Sequence, residues 1–204
     1  MQRSAVRFPA WIEKEGKKLM RMMKVAVVGG ALALGGCFDM EMDTMILGAD
    51  EVRLSGFMQV NREMLDMMGG VDEFCPEEDG TLEETDTYVR CNFLAEGTVE
   101  EVFEGDEDAP TIEDLGDGTV RVTIMLDEFT GEMDEMVDDP AAMAMFRPMM
   151  EGHGMTFSIS GAEIVSTNGE LSDDGTSASV SFALTDTLEE DHDIPEMLEA
   201  VVRY

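Results

Sequence analysis

Phe38-Asp39-Met40-Glu41-Met42-Asp43-Thr44-Met45-Ile46 is the stretch of sequence that decides the fold. Its even positions are apolar or uncharged, whereas Asp39, Glu41 and Asp43 carry carboxylates. This alternation with a period of two predicts a strand that has one face in the core and one in water. After the turn at 48–50, apolar residues alternate again at Val52, Leu54, Met58 and Val60. Residues 38–60 are therefore predicted to form a β-hairpin.

The same alternation recurs along the rest of the chain. It predicts further strands over residues 88–95, 111–115, 119–126, 155–159, 162–166 and 177–184. Gly116-Asp117-Gly118 and Asn168-Gly169 have the composition of hairpin turns. Residues 71–86 are acidic and rich in turn-forming residues, so they are predicted to form a loop.

Four segments have the features of short helices, namely residues 61–68, 98–103, 129–150 and 195–203. Thr98 and Glu101 have the spacing of a capping box, and Pro195 suits the first position of a helix. Hairpins with a few helices between them predict the α+β class. We expect one domain with a mostly antiparallel β-sheet built of hairpins and a few short helices packed on it.

A charged and then apolar segment precedes the first strand. Lys24 is followed by the apolar run 25–34, and Leu34-Gly35-Gly36-Cys37 resembles a bacterial lipobox. That resemblance implies that residues 1–36 are a lipoprotein signal peptide and that Cys37 receives the lipid. The start of this peptide is over-long, since Met20, Met22 or Met23 would begin a more typical signal.

Two other interpretations of this segment are a transmembrane anchor and an ordinary secretory signal. Residues 25–36 are fewer than the roughly 20 needed to cross a bilayer, and small residues before a cysteine favour lipoprotein processing. Residues 37–204 are then an extracytoplasmic domain, lipid-anchored to the cell membrane or the outer membrane.

Acidic residues dominate the predicted mature chain. The first 36 residues carry seven basic and two acidic side chains, so the net charge changes from −33 for the whole chain to −38 for residues 37–204, which contain six arginines and no lysine. A surface of this sign repels nucleic acid and anionic lipid headgroups. We therefore expect no nucleic-acid partner.

Two cysteines remain once Cys37 is assigned to the lipid. Cys75 and Cys91 are separated by about 16 residues. In an oxidising compartment such a pair is expected to form a disulfide, which would stabilise the fold by roughly 3 kcal/mol.

The C-terminal half resembles a known family. Residues 155–169, followed by Ser177 to Leu184, resemble the end of the LppM-type bacterial lipoprotein domain, and a hairpin directly after Cys37 matches its start. Ser160 stands where the family usually has proline, and residues 70–150 contain no motif that can be aligned. The resemblance implies an envelope lipoprotein with a small α/β domain that binds lipids or glycolipids or takes part in envelope processes. It carries over no catalytic residues.

Methionine is unusually frequent, with 20 residues in the chain. Those between residues 133 and 155 surround His153, which allows three interpretations: core packing, an apolar ligand surface, or a Cu(I) site that includes Met149, Met150 and His153. The helical spacing and the same abundance elsewhere in the chain favour packing over copper. No cofactor and no metal are predicted.

Binding is the function that these features predict. The chain lacks a Gly-x-Ser-x-Gly elbow, a His-Glu-x-x-His motif and a phosphate loop, so we expect no enzyme. We expect a membrane-anchored envelope lipoprotein that holds a lipid or other apolar ligand between the sheet and the methionine-bearing helices. The predicted ligand-binding residues are Phe129, Met133, Met136, Met143, Phe146 and Met150. The alternative is a structural lipoprotein that docks an envelope protein through the same surface.

Overall fold

Two β-sheets make up the described part of the chain. The computed structural model describes residues 38–62, 65, 71–75, 80–104, 109–127, 144, 147–148, 150–189 and 192–204. The strands are β1 (Phe38–Ile46), β2 (Glu51–Asn61), β3 (Thr81–Glu84), β4 (Tyr88–Thr98), β5 (Thr111–Gly116), β6 (Thr119–Met125), β7 (Gly154–Ser160), β8 (Glu163–Thr167), β9 (Glu170–Leu171), β10 (Ser177–Ala183) and β11 (Met197–Arg203). The helices with defined bounds are α1 (Val71–Phe74), α2 (Val99–Val102) and a 3₁₀ turn at Asp186–Leu188.

The large sheet has seven strands in the order β3-β4-β2-β1-β7-β10-β9. β1 and β2 form the predicted hairpin, in which Phe38 lies opposite Val60 and Ile46 opposite Val52. β1 also pairs with β7 in parallel, with Met40 opposite Met155. A parallel pair needs a crossover connection, and this one spans everything from β2 to β6. The other pairs in this sheet are antiparallel.

The small sheet has four antiparallel strands in the order β5-β6-β11-β8. Its strand β11 corrects the prediction of a helix over residues 195–203. Leu198, Ala200 and Val202 alternate along β11 and have no exposed surface. A strand buries these three side chains on one face, whereas a helix would point Ala200 away from Leu198 and Val202. The proline is a poor guide here, because it precedes the strand.

The inner faces of both sheets form one hydrophobic core. From the large sheet it includes Val52, Leu54, Val60, Val89, Phe157 and Ile159, and from the small sheet Val120, Val122, Ile124, Leu198 and Val202. β11 contacts both β7 and β10. At Gly161, between β7 and β8, a Cβ atom would lie 2.3 Å from Cγ1 of Val202, so the sheets can meet this closely only at a glycine.

Helices contribute less than the α+β prediction expects. The domain is single, as predicted, but its described part is largely β. α2 confirms the capping box, because the Thr98 hydroxyl accepts from the Glu101 N–H and the Glu101 carboxylate accepts from the Thr98 N–H. Most of the predicted helix over 129–150 lies outside the described residues. Of this segment only residues 144, 147–148 and 150 are described, and these are helical. In the described part, no helix is long and apolar enough to cross a bilayer.

The acidic segment 71–86 was predicted to be a loop, and this is wrong. It contains α1 and the edge strand β3, in which Leu82 pairs with Cys91 of β4. Three of the four β3 side chains are exposed and only Leu82 is partly buried, so the apolar alternation that identifies a strand is missing.

Candidate functional site

A groove lies on the large sheet at the end where β1 begins. Its volume is about 610 Å³, and it is open to solvent. Strands β1, β2, β4, β7 and β10 and the 3₁₀ turn contribute to it. The lining residues used below are Asp39, Met40, Glu41, Phe57, Arg90, His153, Met155, Phe182 and Asp186.

The period of two in β1 explains why charged side chains line the groove. Met40, Thr44 and Ile46 are buried on the inner face of the sheet, which leaves Asp39 and Glu41 on the outer face. The strand register then aligns polar partners across the sheet. Asp39 lies opposite Gln59 of β2, and Gln59 lies opposite Arg90 of β4.

Four strands are connected by a chain of hydrogen bonds that centres on Asp39. Arg90 Nε donates to Gln59 Oε1 (3.1 Å), and Gln59 Nε2 donates to Asp39 Oδ2 (3.1 Å). His153 Nδ1 lies 2.9 Å from the same oxygen, and the Gly154 N–H donates to Asp39 Oδ1 (3.1 Å). Because an ionised carboxylate only accepts, Nδ1 is the protonated nitrogen of His153. Both oxygens of Asp39 are therefore engaged.

Arg90 differs from most other arginines of the described structure. Its guanidinium carbon lies 3.8 Å from the centroid of the Phe57 ring, a cation–π contact. No carboxylate in the described part of the chain lies within 4 Å of it. Four other arginines each pair with a glutamate, namely Arg53 with Glu96, Arg62 with Glu84, Arg121 with Glu113 and Arg203 with Glu163. Arg90 is thus held in place by neutral groups in a strongly acidic protein.

Two further residues of β1, outside the groove, have polar side chains in unusual surroundings. Asp43 Oδ2 accepts a hydrogen bond from Ser160 Oγ at 2.9 Å. Burial raises the pKa of Asp43, and this exceeds the lowering by Ser160; the charge of Glu41 adds to the rise. Thr44, on the inner face, is fully buried, and its hydroxyl has no hydrogen-bond partner among the described residues.

The predicted disulfide between Cys75 and Cys91 is present. It ties α1 to β4, with the two Cα atoms 5.4 Å apart. Gly80 lies against it, because a Cβ atom there would be 2.7 Å from Sγ of Cys91 and 2.8 Å from the carbonyl oxygen of Asn92. The disulfide is part of the core, since both cysteines are buried.

Most of the predicted ligand-binding residues lie outside the described part of the structure. This applies to Phe129, Met133, Met136, Met143 and Phe146, and also to the predicted lipidation site Cys37. Met150 is described and is 1% exposed within the hydrophobic core. Its carbonyl accepts a hydrogen bond from the His153 N–H at 3.1 Å, so the end of the predicted methionine-bearing helix leads directly into the groove.

The alternative copper site is only partly described. Met149 lies outside the described residues, Met150 is in the core, and His153 bonds to Asp39. Within the residues that the structure describes, no three His, Cys, Asp or Glu side chains are arranged to hold a metal ion.

Sequence reasoning did not identify Gln59, Phe57, Arg90 and His153 as one group. The outward positions of a strand can be read from its alternation, but the strand that lies beside it cannot. Only the parallel pairing of β1 with β7 brings residues 39 and 153 together.

Comparisons with known proteins give one likeness to report. No protein-family model matches the sequence, and no curated protein matches it. Among solved structures, the chain is similar to the folded domain of LppM from Mycobacterium tuberculosis, determined by NMR, at 13% sequence identity and a TM-score of 0.47. The match covers 83% of this chain and 91% of that chain. This is the family that the sequence resembles, and no statement about function rests on the likeness.

Proposed function

We propose that the chain is an extracytoplasmic lipoprotein without catalytic activity, anchored through a lipid on Cys37, and that it binds a lipid or other apolar ligand. The observation that carries the proposal is the position of the groove. Asp39 and Glu41 line it, and they follow the predicted lipidation site by two and four residues.

The short distance along the chain limits how far the groove can be from the membrane. β1 begins at Phe38, and an extended residue spans at most about 3.6 Å, so Asp39 is within roughly 7 Å of the lipidated residue. A membrane lipid could then reach the groove with its headgroup while its acyl chains stay in or near the bilayer. Phe57 also lines the groove, and its half-buried ring offers an apolar contact on the outer face. Met40, Met155 and Phe182 border the groove, but their side chains are 4–8% exposed and belong to the core.

The alternative, docking of an envelope protein, has weaker support. The exposed large apolar side chains of the described residues are distributed over both sheets: Leu47, Leu94, Leu115, Met125, Val165, Leu171 and Tyr204. Single exposed apolar residues are normal, whereas a docking surface is a continuous patch of several hundred Å².

The test uses the full chain expressed with its own leader in a bacterial host and extracted in a mild non-ionic detergent. Native mass spectrometry and lipid extraction of the same sample are expected to give one lipid-modified N-terminus and, in addition, about one non-covalent lipid per protein. A Cys37→Ala variant controls for the covalent lipid. A protein that carries no second lipid, and takes up none from added membrane extract, would contradict the proposal; a stoichiometric protein companion would favour docking.

A further inference from the structure

We infer that the groove recognises a zwitterionic group, in which Arg90 binds a phosphate and Glu41 binds an ammonium. This rests on the proposed function and names the chemistry of its ligand. The relevant features lie on either side of Phe57. Within the described structure, Arg90 has no partner of opposite charge, and the Glu41 carboxylate has neither an ion pair nor a hydrogen bond.

Arg90 supplies the anion-binding half. Its Nε is used by Gln59 and its planar face by Phe57, so its orientation is restrained on two sides. Glu83, its neighbour on β3, accepts a hydrogen bond from the Tyr88 hydroxyl at 3.3 Å and forms no ion pair with Arg90. The Nη groups therefore have no acceptor among the described residues. A guanidinium with a restrained plane and unused donors is suited to bind phosphate oxygens.

Glu41 supplies the cation-binding half. It lies opposite Phe57 in the hairpin and is exposed. Its carboxylate has no hydrogen bond or ion pair in the described part of the chain. The other carboxylates of the groove already accept hydrogen bonds from the protein. Asp39 accepts from three donors, and Asp186 accepts from the Ala183 N–H. Glu41 is therefore the carboxylate available to an ammonium group.

The spacing and the overall charge favour one ligand that carries both groups. Glu41 is on β1 and Arg90 on β4, two strands apart, which is about 10 Å across the sheet. Arg90 is also two residues along β4 from Asn92, which is in line with Glu41, so the backbones are about 12 Å apart. An ammonium and a phosphate joined by a short linker can contact both side chains across this gap. A purely anionic ligand would meet the repulsion of a mature chain with a net charge of −38, and a purely cationic one would leave the unused donors of Arg90 without an acceptor.

Calorimetric titration of the full lipidated chain, exchanged into lipid-free detergent, compares three soluble probes. Glycerophosphoethanolamine is expected to bind at least tenfold more tightly than either glycerol 3-phosphate or ethanolamine. Equal affinity for glycerol 3-phosphate, or no binding of the zwitterion, would overturn the inference. These comparisons use the lipidated chain without any substitution, so they do not depend on how a variant folds.

Variants then assign the two contacts. Arg90→Gln and Glu41→Gln are each expected to weaken binding of glycerophosphoethanolamine at least tenfold, while Arg121→Gln, in the small sheet, leaves it unchanged. Unchanged binding in both groove variants would overturn the assignment, and their unfolding midpoints are measured alongside.

Two further measurements distinguish a lipid headgroup from a soluble zwitterion, and this inference from the proposed function. Recruitment to phosphatidylethanolamine vesicles, over vesicles of phosphatidylglycerol, would identify a lipid headgroup as the source; binding of the soluble probe alone would support recognition of the zwitterion and exclude the lipid. A co-purified lipid without an amine would leave the proposed function standing and refute this inference.

Discussion

The carboxylate of Asp39 and the imidazole of His153 lie 2.9 Å apart although 114 residues separate them in sequence. The parallel pairing of β1 with β7 produces this contact, because it places residue 154 beside residue 39. Asp39 also bonds to Gln59 of β2, so one side chain connects three strands. The strand that follows the predicted lipid anchor is thereby joined to the turn that follows Met150.

Replacing Asp39 by alanine is expected to lower the free energy of unfolding by about 1–3 kcal/mol, because three donors lose their acceptor in a partly buried position. Urea unfolding measures the effect. Glu41→Ala, on the same face of the same strand, is the matched control and should change stability by no more than about 0.5 kcal/mol. Equal midpoints for the two variants would show that the Asp39 bonds contribute nothing.

Replacing Thr44 by valine is expected to raise stability by about 1 kcal/mol or more. The Thr44 hydroxyl is fully buried and has no partner in the part of the chain that the structure describes; the substitution removes this unsatisfied group while it keeps the branched shape. Thr156→Val is the control and should not gain stability, because the Thr156 hydroxyl forms a hydrogen bond of 2.9 Å with the Ser181 hydroxyl that the substitution removes. A melting temperature that falls for Thr44→Val would indicate that the hydroxyl has a partner in solution.

The Asp43→Asn variant is expected to be more stable than the unmodified protein at neutral pH but not in acid. Burial raises the pKa of Asp43 above its ordinary value of 3.8, so the folded state binds the proton more tightly than the unfolded state does. This contribution to stability is fully present below the ordinary pKa and is lost as the pH rises through the folded pKa.

Asparagine imitates the protonated acid and can still accept from Ser160. The difference in unfolding free energy between the two proteins should therefore grow from about pH 3 to pH 7. A difference that is constant over this range would mean that Asp43 titrates normally in the folded protein. Chemical unfolding at several pH values provides the comparison.

Replacing Cys75 and Cys91 by serine is expected to lower the free energy of unfolding by about 3 kcal/mol, since the disulfide closes a loop across a sequence separation of 16. Gly80→Ala should also destabilise the oxidised protein, because its Cβ would collide with Sγ of Cys91. The cost of Gly80→Ala should be smaller in the serine background, where part of that collision is relieved. Strictly additive effects would contradict the packing of Gly80 against the disulfide.

Local patterns predicted much of the architecture correctly. The first hairpin, the hairpin around residue 117, the strand containing Cys91 and the capping box at Thr98 all agree with the structure. Each depends on interactions between neighbours in sequence. Errors arose where the local signal was misleading or weak: Pro195 suggested a helix over the residues that form β11, and the exposed edge strand β3 lacks apolar alternation.

The sequence by itself determined which side chains point inward in the strands that alternation identifies, the likeness to a lipobox at Cys37 and the pairing of Cys75 with Cys91, because alternation and spacing are local or countable properties. Only the tertiary structure decided that β1 lies between β2 and β7, and hence that Asp39 meets both Gln59 and His153 and that Arg90 stacks on Phe57. The order and register of strands depend on how two apolar faces distant in sequence bury each other, and no short pattern encodes that choice.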